Sequence, residues 1–265
     1  MVTTATVQSD ITADVAANGA HIRALMHQAA GAGAGLAHFP EAALSGYADF
    51  QIRDWHTVDW RAIDRELLAI QRLATRLRLW VVLGCNHRLD APHRPQNSLY
   101  VISNEGVVVH RYNKRMCSNA ETTYWYTPGT MPVVFDVAGI RFGLAVCIEA
   151  AFPVLFAEYE AMEVHAMLLS CYSADPAHGL MAHAHAATNC TWLSLATPAS
   201  CSATLPSQMF GPDGDVIGTC LPGRSGMVLH TIDLHASRYQ IPLHLRRPWR
   251  ARARSGEIYA GLAQA

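Results

Sequence analysis

Three polar residues each follow a short apolar run: Glu41 in Leu36-Ala-His-Phe-Pro-Glu41, Lys114 in Val107-Val-Val-His-Arg-Tyr-Asn-Lys114, and Cys147 in Phe142-Gly-Leu-Ala-Val-Cys147. An acid, an ammonium group and a thiol at strand ends suit one rim of one site. Together they are what a cysteine nucleophile needs to cleave an amide-like carbon–nitrogen bond: a base takes the thiol proton and a cation holds the oxyanion. A free thiol, with a pKa of about 8.5, is only a few per cent ionised at neutral pH, so the sulfur needs activation. Glu41 is the candidate general base, which requires its pKa to rise above the usual value of about 4.3, as burial beside a second carboxylate would achieve. Lys114 and a backbone N–H just after the nucleophile, that of Ile148, are the candidate oxyanion donors.

The elements that must position these groups alternate along the chain. Residues 4–8 read as a strand, 13–30 as a helix stopped at Gly31, 36–39 as a strand, 64–78 as an amphipathic helix and 80–84 as a strand. Runs 97–103 and 107–112 flank the turn Asn104-Glu-Gly106, and 133–137 and 140–146 flank Ala138-Gly139, as hairpins. In the run ending at Cys147, Phe142, Leu144 and Val146 alternate with Gly143, Ala145 and Cys147, which puts the sulfur on the small-residue face with space above it. Pro153 then opens a helix to about residue 163, whose N-terminus would favour a thiolate. A strand at 166–169, a helix at 177–190, a strand at 192–197, a hairpin over 207–220 and a strand at 227–234 complete one layered α/β domain spanning residues 1–265.

The Phe-Pro-Glu41, Lys114 and Cys147 segments, in this order, resemble the carbon-nitrogen hydrolase family, often called the nitrilase superfamily. The resemblance runs from the first strand, with Asp14 and Asn18, to about Leu234. It implies an α/β fold of the four-layer αββα sandwich type, no cofactor, and subunits paired through a helical face as a homodimer or higher homo-oligomer. The tail 235–265 would lie at that interface. It also implies a second glutamate between the lysine and a Pro-Gly turn that orients the lysine; here Glu121 precedes Pro128-Gly129. The interval is one residue longer than is usual in the family, so the loop 122–127 should bulge. At His185-Ala-Ala-Thr-Asn189, relatives usually carry Arg-Ala-x-Glu-Asn, so an ion pair made there is missing. The elements expected to line the pocket are the loop Tyr124-Trp125-Tyr126 and the segment Cys171, Tyr172 and Ala174, which suggest a small, partly apolar substrate.

The reading is a thiol-dependent hydrolase of a small amide or carbamoyl compound, with a thioester acyl-enzyme resolved by water. A nitrilase is the runner-up, and the triplet Cys147-Ile-Glu149 lacks the Trp that typical nitrilases place after the cysteine. Acyl transfer to an amine, or a non-catalytic relative, would keep the fold, but the latter should have lost one of the polar trio. A serine hydrolase is not indicated, because Gly223-Arg-Ser-Gly226 has the wrong spacing for a nucleophile elbow.

Composition narrows the partners. Hydrophobic residues make up 51% and charged residues 15%, with 20 Lys plus Arg against 21 Asp plus Glu, which gives no footprint for nucleic acid or an anionic membrane. The cluster Arg246, Arg247, Arg250, Arg252 and Arg254 reads as a solvated or inter-subunit tail. Without a membrane span or a leader-like N-terminus, a cytoplasmic location is expected. Seven cysteines lacking Cys-x-x-Cys spacing indicate neither a disulfide framework nor a zinc knuckle. No metal site is expected from His178, His183 and His185, which lack a His-Glu-x-x-His frame; His183 and His185 point to different faces of a helix.

Overall fold

The strand-forming runs assemble into two six-stranded sheets in the computed structural model, which describes residues 1–260. The first sheet has the order β12 (Gly226–Ile232), β1 (Val2–Gln8), β2 (Leu36–His38), β3 (Trp80–His87), β4 (Gln96–Ile102), β5 (Val108–Asn113). The second has the order β11 (Val216–Thr219), β10 (Gln208–Phe210), β9 (Trp192–Ala196), β8 (Ala166–Ser170), β7 (Ile140–Val146), β6 (Val134–Val137). Each sheet has a parallel centre, β1-β2-β3 and β7-β8-β9, edged by antiparallel strands. Helices cover the outer faces, so the architecture is the four-layer αββα sandwich.

Against the first sheet pack α1 (Val15–Gly31) and α2 (Trp60–Leu77), which bury Ile22, Leu25, Met26, Ile63, Ile70 and Leu73 on Val7, Phe39, Val81 and Leu83. The α2 helix begins four residues before the expected Asp64 because Asp59 caps it, its carboxylate accepting from the Ala62 N–H at 2.9 Å. On the second sheet lie α3 (Pro153–Ala161) and α4 (Ala177–Asn189), through Leu155, Phe156, Tyr159, Ala182 and Ala186. Between the sheets, Trp80 of β3 stacks on Phe135 of β6, which stacks on Phe142 of β7. Thus Phe142, Leu144 and Val146 fill the space between the sheets, as period-two alternation predicts. The opposite face is not open above Gly143: a Cβ there would meet Met167 Sδ at 2.7 Å and Tyr159 Cδ1 at 2.8 Å. The missing side chain makes room for α3.

A tail of helical turns follows β12, ending in α5 (Arg247–Arg254) and a last turn. Arg247 donates to the Val164 carbonyl and Arg254 pairs with Glu160, so part of the basic cluster is tied to this chain's own groups. The five final positions of the tail, 261–265, lie outside the described residues. Among the described residues no helix is long and apolar enough to cross a membrane.

One polar seam crosses the apolar interlayer. His38 of β2 lies fully buried, its Nδ1 2.7 Å from Ser194 Oγ of β9 and its Nε2 2.9 Å from Ser170 Oγ of β8. Ser194 Oγ also meets Thr6 Oγ1 of β1 at 2.7 Å, and Ser170 Oγ donates to the Phe39 carbonyl at 2.9 Å. Satisfied in this way, the seam fixes how one sheet registers on the other. Burial pulls the His38 pKa down to about 3. The unfolded ring titrates near 6.5, so the stability gained by keeping it neutral is fully present above about pH 6.5 and is lost as pH falls towards the folded value. Denaturant unfolding at stepped pH should show wild-type stability falling below pH 6.5 by up to about 1.4 kcal/mol per unit more steeply than in His38→Asn. Parallel pH profiles for the two proteins would contradict this.

Candidate active site

Strands β2, β3 and β5 run in the same direction, so the turns after β2 and β5 emerge on one edge of the first sheet. Pro40 ends β2, and Ala42, at φ +57°, turns the chain sharply. This turn rests on Gly84 of β3, where a Cβ would meet Pro40 O at 2.1 Å and Ala42 N at 2.5 Å. Only glycine lets the two backbones approach so closely. Glu41 is thereby held fully buried, with Oε1 accepting from Asn97 Nδ2 (2.6 Å) and Lys114 Nζ (3.1 Å), and Oε2 from the Tyr172 N–H (2.8 Å).

Lys114 follows β5 and is 1% exposed. Its ammonium donates to Glu121 Oε1 at 2.7 Å as well as to Glu41. Glu121 is fixed by a capping box: Ser118 Oγ accepts from the Glu121 N–H (3.2 Å), and Glu121 Oε2 accepts from the Ser118 N–H (2.8 Å). The turn that follows, Glu121–Trp125, is a single π-helical turn closed by Tyr126 N–H to Glu121 O at 2.7 Å. A π turn takes up one extra residue without disturbing its flanks, which is the bulge expected from the longer interval to Gly129. Tyr47 donates its hydroxyl to Glu121 Oε1 at 3.0 Å, and burial keeps that phenol neutral by pushing its pKa up.

Cys147 leaves β7 at φ +50° and opens a 3-10 turn over Cys147–Ala151, so its side chain no longer follows the strand's alternation. Ile148 lies in the first turn, where backbone N–H groups lack internal acceptors. Cys147 is 7% exposed, and its sulfur has two close side-chain neighbours. Cys171 Sγ lies 3.4 Å away and donates to it, and His178 Nε2 lies at 3.7 Å. The Cys171 contact, then His178 and the Lys114 charge, outweigh burial and hold the Cys147 thiol well below its ordinary range. Its hydrogen bond to the sulfur raises His178 in turn. Burial pushes Glu41 upward, and the negative sulfur adds to this against the pull of Lys114. For Lys114, burial works against the charge, but Glu41, Cys147 and Glu121 overcome it and keep the amine protonated. The arrangement therefore favours a thiolate beside a carboxyl able to hold its proton.

A further carboxylate, Glu149, ties the lysine and cysteine segments together. It is fully buried and accepts from Tyr112 Oη (2.8 Å), the Arg115 N–H (2.6 Å), the Met116 N–H (3.0 Å) and the Val146 N–H (2.7 Å). Burial pushes its pKa up, while these donors work against that by favouring the ionised form. At His185, in place of the expected arginine, the ring stacks on Phe156 at 3.6 Å and Nε2 reaches the Ala150 carbonyl at 2.8 Å, so α4 braces the turn after Cys147 without an ion pair.

The structure brings Glu41, Lys114 and Glu121 into one buried network and sets Cys171 and Tyr172 beside Glu41 and Cys147. The aromatic loop fits the expected lining less well. Tyr124 is 67% exposed on the outer side of the π turn, and Ala174, in the loop after β8, is also exposed. Tyr126 is fully buried and bonded to Asn86 Oδ1 (3.0 Å), which makes it a support behind Tyr47. Trp125 packs edge-on to Trp55 and lines a small cavity shared with Tyr47, Phe50 and Glu121. Sequence reasoning passed over Tyr47, stacked on Tyr172 at 4.9 Å with exposed Phe50 against both rings. It also gave no role to Asn97 or Glu149, and it weighed His178 only as a metal ligand and set it aside. The Ser118-Asn-Ala-Glu121 capping box was a readable signal for Glu121.

The two-sheet αββα sandwich thus holds a buried acid–ammonium–acid network near a thiol whose pKa is lowered. The carbon-nitrogen hydrolase family model matches residues 3–239, and the chain belongs to that family. Similar solved structures include an amidase from Nesterenkonia sp., 22% identical over 94% of this chain and 96% of that one, with a TM-score of 0.77. Another is a glutamate-to-glutamine mutant of the Nesterenkonia sp. AN1 amidase carrying the acetamide moiety of fluoroacetamide on its active site cysteine, with 21% identity, coverage of 95% and 96%, and a TM-score of 0.78. A third is a cysteine-to-alanine mutant of that amidase in complex with butyramide, with 22% identity, coverage of 94% and 96%, and a TM-score of 0.77. At these identities the likeness speaks to the fold.

Two substitutions probe the supports. Glu149→Gln places an amide against three N–H donors and should lower unfolding free energy by roughly 2–4 kcal/mol. Gly84→Ala pushes the Glu41 turn outward and should destabilise by more than an exposed Gly→Ala exchange, whose effect is within about 1 kcal/mol. Denaturant melts check both, and wild-type midpoints would refute the supporting roles.

Proposed function

We propose that the protein hydrolyses the carbon–nitrogen bond of a small amide through a thioester on Cys147. The observation that carries this reading is the buried Glu41–Lys114–Glu121 network, with a raised carboxyl at one end, beside a thiol whose pKa is lowered. Glu41 takes the Cys147 proton as the sulfur adds to the amide carbon. Lys114 Nζ and the Ile148 N–H hold the oxygen as it becomes negative. Collapse of the tetrahedral adduct breaks the carbon–nitrogen bond, and Glu41 returns the proton to the departing ammonia or amine. Water, deprotonated by Glu41, then attacks the thioester, releases the acid and restores the thiol. Glu121, bonded to Lys114 and Tyr47, keeps the ammonium oriented through these steps. The acetamide moiety carried on the active site cysteine and the bound butyramide in the Nesterenkonia structures support an amide over a nitrile, as does the absence of a Trp after Cys147.

The stacked Tyr47 and Tyr172, with Phe50 at the rim, supply the apolar wall for a short acyl chain, and Trp125 closes its far side. We also propose that a second copy of the chain covers the helical side, where Val154, Leu180, Leu245 and Trp249 are all more than half exposed. Light scattering of the purified protein should give twice the chain mass or a multiple of it; a monomer mass would exclude that pairing.

Ammonia release from short aliphatic amides, carbamoyl compounds and nitriles tests the reaction. Amides should be turned over, Cys147→Ala should be inactive, and Glu41→Gln should lose about 10²–10⁴ in kcat. Intact mass of Glu41→Gln quenched during turnover should show an acyl adduct. Full activity in Cys147→Ala, or turnover of nitriles alone, would overturn the proposal.

A further inference from the structure

The strand register that presents Cys147 also presents a second sulfur. In the parallel pair β7–β8, Val146 lies opposite Ser170, and the next residue in each strand is a cysteine. Cys147 and Cys171 therefore leave adjacent strands side by side, 3.4 Å apart at Sγ. The first turn of α4 adds His178, whose Nε2 lies 3.7 Å from Cys147 Sγ. All three donor atoms lie within 4.8 Å of one another, and all three residues are buried. Cleavage of an amide by the scheme above requires one sulfur, so neither Cys171 nor His178 is accounted for by it.

Two edges of this cluster lie near those that a metal would set. Zinc binds thiolate sulfur at about 2.3 Å and imidazole nitrogen at about 2.0–2.1 Å, so the edges of its tetrahedron are about 3.8 Å between sulfurs and about 3.6 Å between sulfur and nitrogen. The two measured edges differ from these by a few tenths of an ångström. His178 is also oriented as a ligand: its Nδ1 faces the Asp175 carbonyl at 3.4 Å, which leaves Nε2 as the nitrogen turned towards the sulfurs. The nearby Lys114 ammonium is paired with Glu121, and the two thiolates themselves supply the negative charge that a cation needs. His183 and His185 take no part, being stacked on Phe210 and Phe156.

We infer that Cys147, Cys171 and His178 form a three-ligand site for a thiophilic divalent cation of the zinc type, with a fourth corner open for water. Two thiolates and an imidazole select such an ion over magnesium or calcium. Binding displaces the Cys171 thiol proton and the proton shared by Cys147 and His178, both passing to water, with no change of oxidation state. The bound sulfur is then withdrawn from nucleophilic attack, so the cation acts as a reversible inhibitor. Only this last consequence rests on the proposed function; the binding itself does not.

The sequence alone gives no such expectation, because the ligands share no motif and meet only through the register of β7 and β8. The test uses the full chain, reduced with a phosphine, stripped by a chelator and titrated with Co²⁺. One Co²⁺ per chain is expected, with thiolate-to-cobalt charge-transfer absorption for two sulfurs and displacement by Zn²⁺. Cys171→Ser and His178→Ala should each weaken binding by ~10–100-fold or more, as even loss of an outer partner of a ligand does. Should either fold poorly by circular dichroism, Cys147→Ala, which leaves the other two ligands in place, must show the same weakening. Absence of the charge-transfer band in wild type, or wild-type affinity in these variants, would overturn the site. Because the readout is spectral, its failure leaves amide hydrolysis standing, and failure of hydrolysis leaves it standing.

Discussion

Lys114 carries a positive charge on a side chain that is almost wholly buried, and much of the surrounding structure follows from that. An unpaired ammonium in such a place costs several kcal/mol, so two carboxylates must accompany it. Glu41 and Glu121 do so at 3.1 and 2.7 Å. Each carboxylate, having entered the interior, needs donors for its remaining lone pairs. Asn97 and the Tyr172 N–H serve Glu41, while Ser118 and Tyr47 serve Glu121. The network thereby reaches from the first sheet to the end of β8 in the second. A site assembled in this way is set before substrate arrives, which is the condition for electrostatic stabilisation of a developing oxyanion.

Glu149 does for the backbone what Glu41 and Glu121 do for the amine. By accepting from Arg115, Met116 and Val146, it clamps the residues after Lys114 to the residue before Cys147. Two non-glycine residues at positive φ, Ala42 and Cys147, mark where strands give way to abrupt turns beside the site. Such strain persists only where packing enforces it. Here the Gly84 contact enforces one turn and the Glu149 clamp the other.

Much of the polar trio was legible because strands announce themselves by apolar runs, and residues just after them gather at one edge of a sheet. The resemblance added Glu121 and the two-sheet arrangement, neither of which periodicity supplies. What stayed hidden depends on partners distant in sequence. Cys171 and His178 reach Cys147 only because β8 lies beside β7 and α4 folds back over both. Glu149 drew no role from the sequence, since nothing local shows that Tyr112 and the Arg115 and Met116 amides would converge on it. Tyr124 misled for the opposite reason: an aromatic run suggests a pocket wall, yet the π turn that seats Glu121 leaves Tyr124 in solvent while Tyr126 is buried.

The site turns on a Cys147 thiol held well below its ordinary range, and alkylation kinetics test that directly. The rate at which iodoacetamide modifies Cys147, followed by peptide mass across pH, reports the thiolate fraction. The profile should keep its plateau well below the ordinary thiol pKa of about 8.5. A rate that rises only near or above that value would mean that the sulfur is an ordinary buried thiol.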